Sequence, residues 1–349
     1  MLFLECKKSS YMKNVKIEWI ASLIVLFVVL VSCRSEKAPP EEVYADVDVV
    51  RFEKILFETD VYALRDSAKR FALSYPDFLP LFTNRIIEIG DTSDPNYELL
   101  LTKFVTERSI YLFYQRAETV FTDFKETRNL LSRGLSRYQY YFPESITPVV
   151  YTYISGLNQS VVAAKGVLGI SLDKYLGANE PLYSNVYPPI PAYLRRVMQK
   201  EYIVSDALRA WVVSDIDYQP VKNNFLSQML NEARGVYITK LLLPELNDTI
   251  LWGFTSDELE FCNNNEEEMW KYILEQKLLF STDQFRINKF IEPGPFTKDF
   301  TRDSPGRAAV WVGYQIIDKY MSRNKDLTLS ELAAENDFQK VLNGARYNP

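Results

Sequence analysis

Any chemistry in this chain has to be done without imidazole, because its 349 residues include no histidine. That removes the Ser-His-Asp triad, the Cys-His dyad, histidine zinc sites and the two-histidine, one-carboxylate iron site. No Gly-x-x-x-x-Gly-Lys loop and no Gly-x-Gly-x-x-Gly turn occurs, so neither phosphate-cradling motif is present. No motif calls for a metal or a cofactor. Carboxylates, arginines, tyrosines and hydroxyls remain.

Two carboxylates are candidates for acid/base work. Asp206 lies in Ile203-Val-Ser-Asp-Ala207, and Glu232 lies in Asn231-Glu-Ala-Arg-Gly235. Both belong to segments with helical apolar spacing, and on antiparallel neighbours they could face one groove. A carboxylate pair can protonate and deprotonate around a glycosidic bond if its spacing suits, or hold Ca²⁺ or Mg²⁺. The plainer alternative is that each one caps, faces solvent, or bridges to Arg209 or Arg234. A third candidate is Asp303-Ser-Pro-Gly-Arg307. Ser304-Pro305 reads as a helix cap followed by proline at the first helical position. Free N–H groups at such a start bind anions, and Arg307 could add a guanidinium fork. Ser304, Gly306 and Arg307 are therefore a candidate anion- or partner-binding set, against a purely structural cap.

The elements that must position these residues read as follows. Val43 to Val50 alternates apolar and polar, as a half-buried strand does. Helical patterns cover Val61–Phe71, Asn96–Phe113 and Ala117–Tyr141, the last stopping at Phe142-Pro143. Two β-branched runs follow, Pro148–Ser155 and Val161–Ser171, with a turn between them. The prolines of Tyr187–Pro191 mark a loop. The helices carrying the two carboxylates span Lys200–Val213 and Asn223–Leu243, and Pro244 ends the second. Further helices start at Ser256, at Glu266, at Ser304-Pro305 and at the capping box Thr328-Leu-Ser-Glu331. Mostly helices with a few strands and no internal linker predict a helix-dominated α+β single domain with a small β-sheet.

The amino end is read separately. Lys13 and Lys16 precede an apolar run from Trp19 to Val31, too short to span a bilayer comfortably and suited to a signal peptide. It ends in Leu30-Val31-Ser32-Cys33, the pattern of a bacterial lipobox. Residues 1–32 are thus expected to be a lipoprotein signal peptide and Cys33 a lipidated residue. Residues 33–42 are expected to be a polar tether and 43–349 the domain. The membrane is then a partner through lipid. The formal charge of -6 with no basic cluster argues against nucleic acid. Cys262 is the one cysteine left after Cys6 and Cys33 and reads as a small buried side chain. Asp66-Ser67-Ala68 and Asp248-Thr249-Ile250 resemble an acceptor pattern for O-linked glycans on exported proteins.

Several segments, in this order, carry a family resemblance: Gly169-Ile-Ser-Leu-Asp-Lys-Tyr-Leu-Gly177, Ile203-Val-Ser-Asp206, Leu226-Ser-Gln-Met-Leu230, Tyr237–Pro244, Phe280-Ser-Thr-Asp283, Ser304-Pro-Gly-Arg307 and Trp311-Val-Gly-Tyr-Gln-Ile316. With the lipobox they resemble the GldB family of gliding-motility lipoproteins. The resemblance implies an envelope lipoprotein needed for surface gliding, a process tied to a secretion system. It implies partners in that machinery, on the periplasmic or surface side of a membrane, and no accepted biochemical activity. The family is distantly similar to zinc peptidases of the zincin type, in which two strands precede a His-Glu-x-x-His helix and a second helix with a distal Glu. In that comparison Lys200–Val213 stands for the metal helix and Glu232 for the distal Glu, while both histidines are missing. The expectation is a zincin-like core lacking the metal site and a protein that is not an enzyme. The alternatives are a histidine-independent hydrolase of envelope glycans using Asp206 and Glu232, and a peptide- or glycan-binding protein using the disused groove.

Overall fold

The computed structural model describes residues 46–349. The signal segment 1–32, Cys33 and the tether to residue 42 lie outside the described residues. Four short strands form one sheet in the order β1-β2-β4-β3: β1 (Val49–Arg51), β2 (Val149–Tyr153), β3 (Val161–Ala164) and β4 (Val167–Ser171). β1 and β4 run parallel to β2, with Val50 opposite Tyr151 and Thr152 opposite Ile170. β3 pairs antiparallel with β4 and leaves the sheet at one edge. The hairpin between them turns at Gly166, whose φ of 76° suits a residue without Cβ. The central strands are buried on both faces, which explains their unbroken apolar character.

Each face of the sheet has its own core. Tyr151, Tyr153 and Val167 face an aromatic cluster built by the first helices. These are α1 (Phe52–Phe57), α2 (Leu64–Ser74), α3 (Phe78–Leu81) with a π-helical turn at Phe82–Ile86, and α4 (Tyr97–Thr106). Phe78 stacks on Tyr151 with ring centroids 4.2 Å apart, and Phe52 meets Phe71, Phe78 and Phe82 edge-on. Val150, Leu168 and Ile170 face the other way, onto α5 (Arg108–Val120), α6 (Lys125–Tyr141) and α8 (Ile203–Asp215), which follows the short α7 (Ala192–Val197). In α6, a Cβ at Gly134 would lie 2.2 Å from Leu208, so glycine there lets α6 and α8 meet.

A third core fills the carboxy-terminal half around α9 (Phe225–Leu242). It packs against α10 (Asp248–Trp252), α11 (Ser256–Asn264), α12 (Glu266–Glu275), α13 (Gln284–Ile291), α14 (Ala308–Arg323), α15 (Leu329–Ala334) and α16 (Phe338–Ala345). α9 is buried nearly all round rather than along one stripe, because α14 crosses it closely. A Cβ on Gly313 of α14 would stand 3.0 Å from Ala233. Asn224 and Ser227 close a capping box at the start of α9.

The architecture is the expected helix-dominated α+β domain with a small sheet. Several boundaries differ. The long segment Asn96–Tyr141 holds three helices, not two. Glu107 is extended and caps Ile110, while Phe121 and Phe124 turn into the core between α5 and α6. Ser67 is 3% exposed and accepts from Arg70 Nη2 at 2.9 Å, so the glycan-acceptor reading at Ser67 is corrected: the hydroxyl is inaccessible. Cys262 is buried as read, and burial pushes its thiol far up.

Candidate functional site

Asp206 lies in the first turn of α8. Its Oδ2 accepts from Tyr175 Oη at 2.9 Å, and its Oδ1 accepts from Arg209 Nη2 at 3.0 Å, one turn along the same helix. Burial raises its carboxyl above the usual carboxylate range, opposed first by the Arg209 charge and then by Tyr175. Glu232 lies midway along α9, about two-fifths exposed, and its Oε2 accepts from Arg307 Nη2 at 3.0 Å. Each candidate carboxylate therefore has its own guanidinium. Asp206 takes the Arg209 bridge named in the plainer reading. Glu232 does not bridge to Arg234, which turns inward to carbonyls of the carboxy-terminal helices.

Arg307 reaches Glu232 from the loop before α14. It adopts a left-handed backbone at φ 63°, and its Nε donates to the Ile291 carbonyl at 3.2 Å. Gly306 beside it lies backbone to backbone against Gly294; a Cβ on Gly306 would fall 2.3 Å from the Gly294 oxygen. Ser304 does not cap the helix. Its Oγ sits 2.7 Å from the Thr301 carbonyl and accepts the Thr297 N–H, while α14 starts only at Ala308. The cap comes from across the loop, where Thr297 Oγ1 accepts the Ala308 N–H at 3.2 Å. Ser304 thus holds the loop, Gly306 permits its closure, and Arg307 is the member that reaches outward.

The two carboxylates and the Ser304–Arg307 loop, far apart in sequence, meet at Arg307, which pairs with Glu232 and shares a cavity with Asp206. Asp206, Arg209, Gly306 and Arg307 line one cavity of about 160 Å³, with Tyr202, Trp252 and Phe254 as its apolar wall. Trp252 and Phe254 stack with ring centroids 5.6 Å apart across Gly253, whose φ of 69° lets the chain turn there. Arg196 also borders the cavity, tied to Glu258 at 2.9 Å and to the Gly253 carbonyl at 3.0 Å. Burial pushes the Arg307 guanidinium down to about 10; the like charge of Arg209 adds to this, and Glu232, Glu292 and Asp206 oppose it. It stays charged at neutral pH. Sequence reasoning missed the Trp252-Gly-Phe254 wall. The signal available was an aromatic on either side of a glycine that ends a helix.

The site offers paired charges and unused guanidinium donors rather than a free base. Arg307 Nη1 has no acceptor among the described residues. Among the described residues, no three His, Cys, Asp or Glu side chains gather as a metal site. No helix among them is long and apolar enough to cross a membrane.

The comparison with curated proteins and the comparison with solved structures each gave no match. The model of the family described as gliding motility protein GldB matches residues 33–349, which include every described residue, and the chain belongs to that family.

Proposed function

We propose that this chain is a lipid-anchored envelope component of the gliding or associated secretion machinery that works by binding and not by hydrolysis. The observation that carries the reading is the separate pairing of the two candidate carboxylates, Asp206 with Arg209 and Glu232 with Arg307. A glycosidase needs one protonated carboxyl and one free carboxylate on either side of a bond. Glu232 is engaged by a guanidinium, and no hydrogen bond links it to Asp206. The raised Asp206 carboxyl favours a general acid, but its proposed partner Glu232 is held by Arg307. The antiparallel edge strand β3, followed by α8 and α9, supports a zincin-like ancestry. In that reading the Arg307 guanidinium supplies the positive charge that a metal would bring to Glu232. The match beginning at Cys33, with the lipobox before it, supports the lipid anchor.

The test is complementation in the host. Glu232→Gln keeps size and a hydrogen bond to Arg307 while removing any acid or base. It is expected to restore gliding fully, and loss of gliding with protein level and fold unchanged would defeat the non-enzymatic reading. In the same host Cys33→Ala is expected to leave the protein unprocessed or shed it from membranes; unchanged fractionation and size would defeat the anchor.

A further inference from the structure

We propose that the cavity at Arg209 and Arg307 holds the free carboxyl terminus of a peptide chain, with the carboxylate on the two guanidiniums and the last side chain on Trp252 and Phe254. This rests on reading the site as a binding site, and adds what it binds.

Three guanidiniums line one small cavity with a single carboxylate, Asp206; Arg196 is committed to Glu258 and the Gly253 carbonyl, which leaves Arg209 and Arg307, and no metal-ligand cluster occurs among the described residues. Asp206 and Glu232 each occupy one guanidinium edge only. Arg209 spends Nη2 on Asp206, and Arg307 spends Nε and Nη2 on Ile291 and Glu232. A guanidinium carries five N–H donors in a planar fork, so both retain donors for a further acceptor. A planar carboxylate suits that fork and relieves the repulsion between the two arginines. The Arg209 side chain, which lines the cavity, is 27% exposed, so the chain can extend past it into solvent.

Size and wall select among anions. About 160 Å³ is close to the roughly 150 Å³ cavity that takes up benzene, enough for one apolar side chain. Bare phosphate would use the guanidiniums and gain nothing from the Trp252 and Phe254 side of the cavity. A chain end with an apolar last residue uses both halves, and capture of a terminal carboxylate by converging donors is an established recognition mode.

The experiment is a titration of the purified protein followed by calorimetry and by Trp252 fluorescence. The probes are N-acetyl dipeptides ending in Ala, Leu, Phe or Trp, each as free acid and as carboxamide, with octanoate and inorganic phosphate alongside. The free acids ending in Leu, Phe or Trp are expected to bind at least tenfold tighter than their amides and than the Ala acid. Arg209→Gln is expected to abolish the preference for acid over amide, with an unchanged thermal melt. Trp252→Ala is expected to weaken acid and amide alike. Equal affinity for acid and amide in the unaltered protein, or no saturable binding by any acid, overturns the proposal without needing a variant. Octanoate or phosphate binding as tightly as the best peptide acid overturns the peptide assignment. Release of free amine from the acetyl dipeptides would overturn the underlying binding reading as well, so the two failures are separable.

Discussion

Arg234 and Arg307 carry the same charge, and burial pushes both down to about 10, yet the molecule uses them in opposite ways. Arg234 is 1% exposed within α9. Its Nη1 donates to the carbonyls of Leu332, Ala333 and Glu335 and its Nη2 to Asn231 Oδ1, with the guanidinium 5.2 Å from the Phe338 ring. These are neutral acceptors at the end of α15, where the carbonyls lack helical partners. The arginine works as a lock that ties the carboxy-terminal helices to α9. Arg307 is 16% exposed, leans on one half-exposed carboxylate and one carbonyl, and borders a cavity. Arg234 spends both its terminal nitrogens on neutral oxygens and keeps only a buried Nε without an acceptor, out of reach of any ligand; Arg307 keeps a terminal nitrogen without an acceptor among the described residues, beside a cavity.

Replacing each residue should separate the two roles. The largest loss is expected from Arg234→Met, which leaves the Leu332, Ala333 and Glu335 carbonyls without their donor and should cost about 3 kcal/mol in chemical denaturation. A loss as small as that of a surface substitution would erase the contrast. Gly306→Ala comes next. The added Cβ meets the Gly294 backbone, which a rotamer change cannot relieve, so about 2 kcal/mol of stability should go. Ligand binding should go with it, since Arg307 is carried on the displaced loop. Binding retained at full strength would show that the loop does not set the site. The smallest stability effect is expected from Arg307→Gln, about 1 kcal/mol or less, because Glu232, itself two-fifths exposed, can take up water when its partner is removed. A melt as damaged as that of Arg234→Met would make Arg307 a second lock.

How far the sequence reaches is visible in the same residues. α9 was legible almost to the residue, since Asn224, Pro244 and the apolar spacing are local signals. So were the capping box at Thr328 and the acidic start at Glu266. At α11 the cap is Thr255, one residue ahead of Ser256, a shift within the ordinary ambiguity of helix ends. The start of α14 was misplaced for a different reason. Ser304-Pro305 has the local look of a cap, but the hydroxyl that caps belongs to Thr297, eleven positions before Ala308. Glu107, Phe121 and Phe124 break a helical pattern because the two phenylalanines find a better home in the core than on a continued helix. The site divided in the same way. Asp206, Arg209, Glu232 and Arg307 could be named from sequence, and so could the Asp206–Arg209 bridge at i,i+3 on one helix, but the pairing of Glu232 with Arg307 depends on how the loop before α14 meets α9, which no local spacing encodes.

The entry of the chain into the fold has a mechanical side. Asp46 and Val47 are fastened before the sheet begins: Val47 N–H donates to Ser132 Oγ at 3.1 Å, and Arg128 of α6 holds both the Val47 carbonyl and the Asp46 carboxylate. Only then does the chain join β2 through the three residues of β1. A pull on the backbone ahead of Asp46 therefore meets the α6 attachments first, and the β1 ladder bears load only after these yield. Three side-chain bonds thus stand between the chain ahead of Asp46 and the sheet, so that tension on that end is met by the ties to α6 before it reaches the strand ladder.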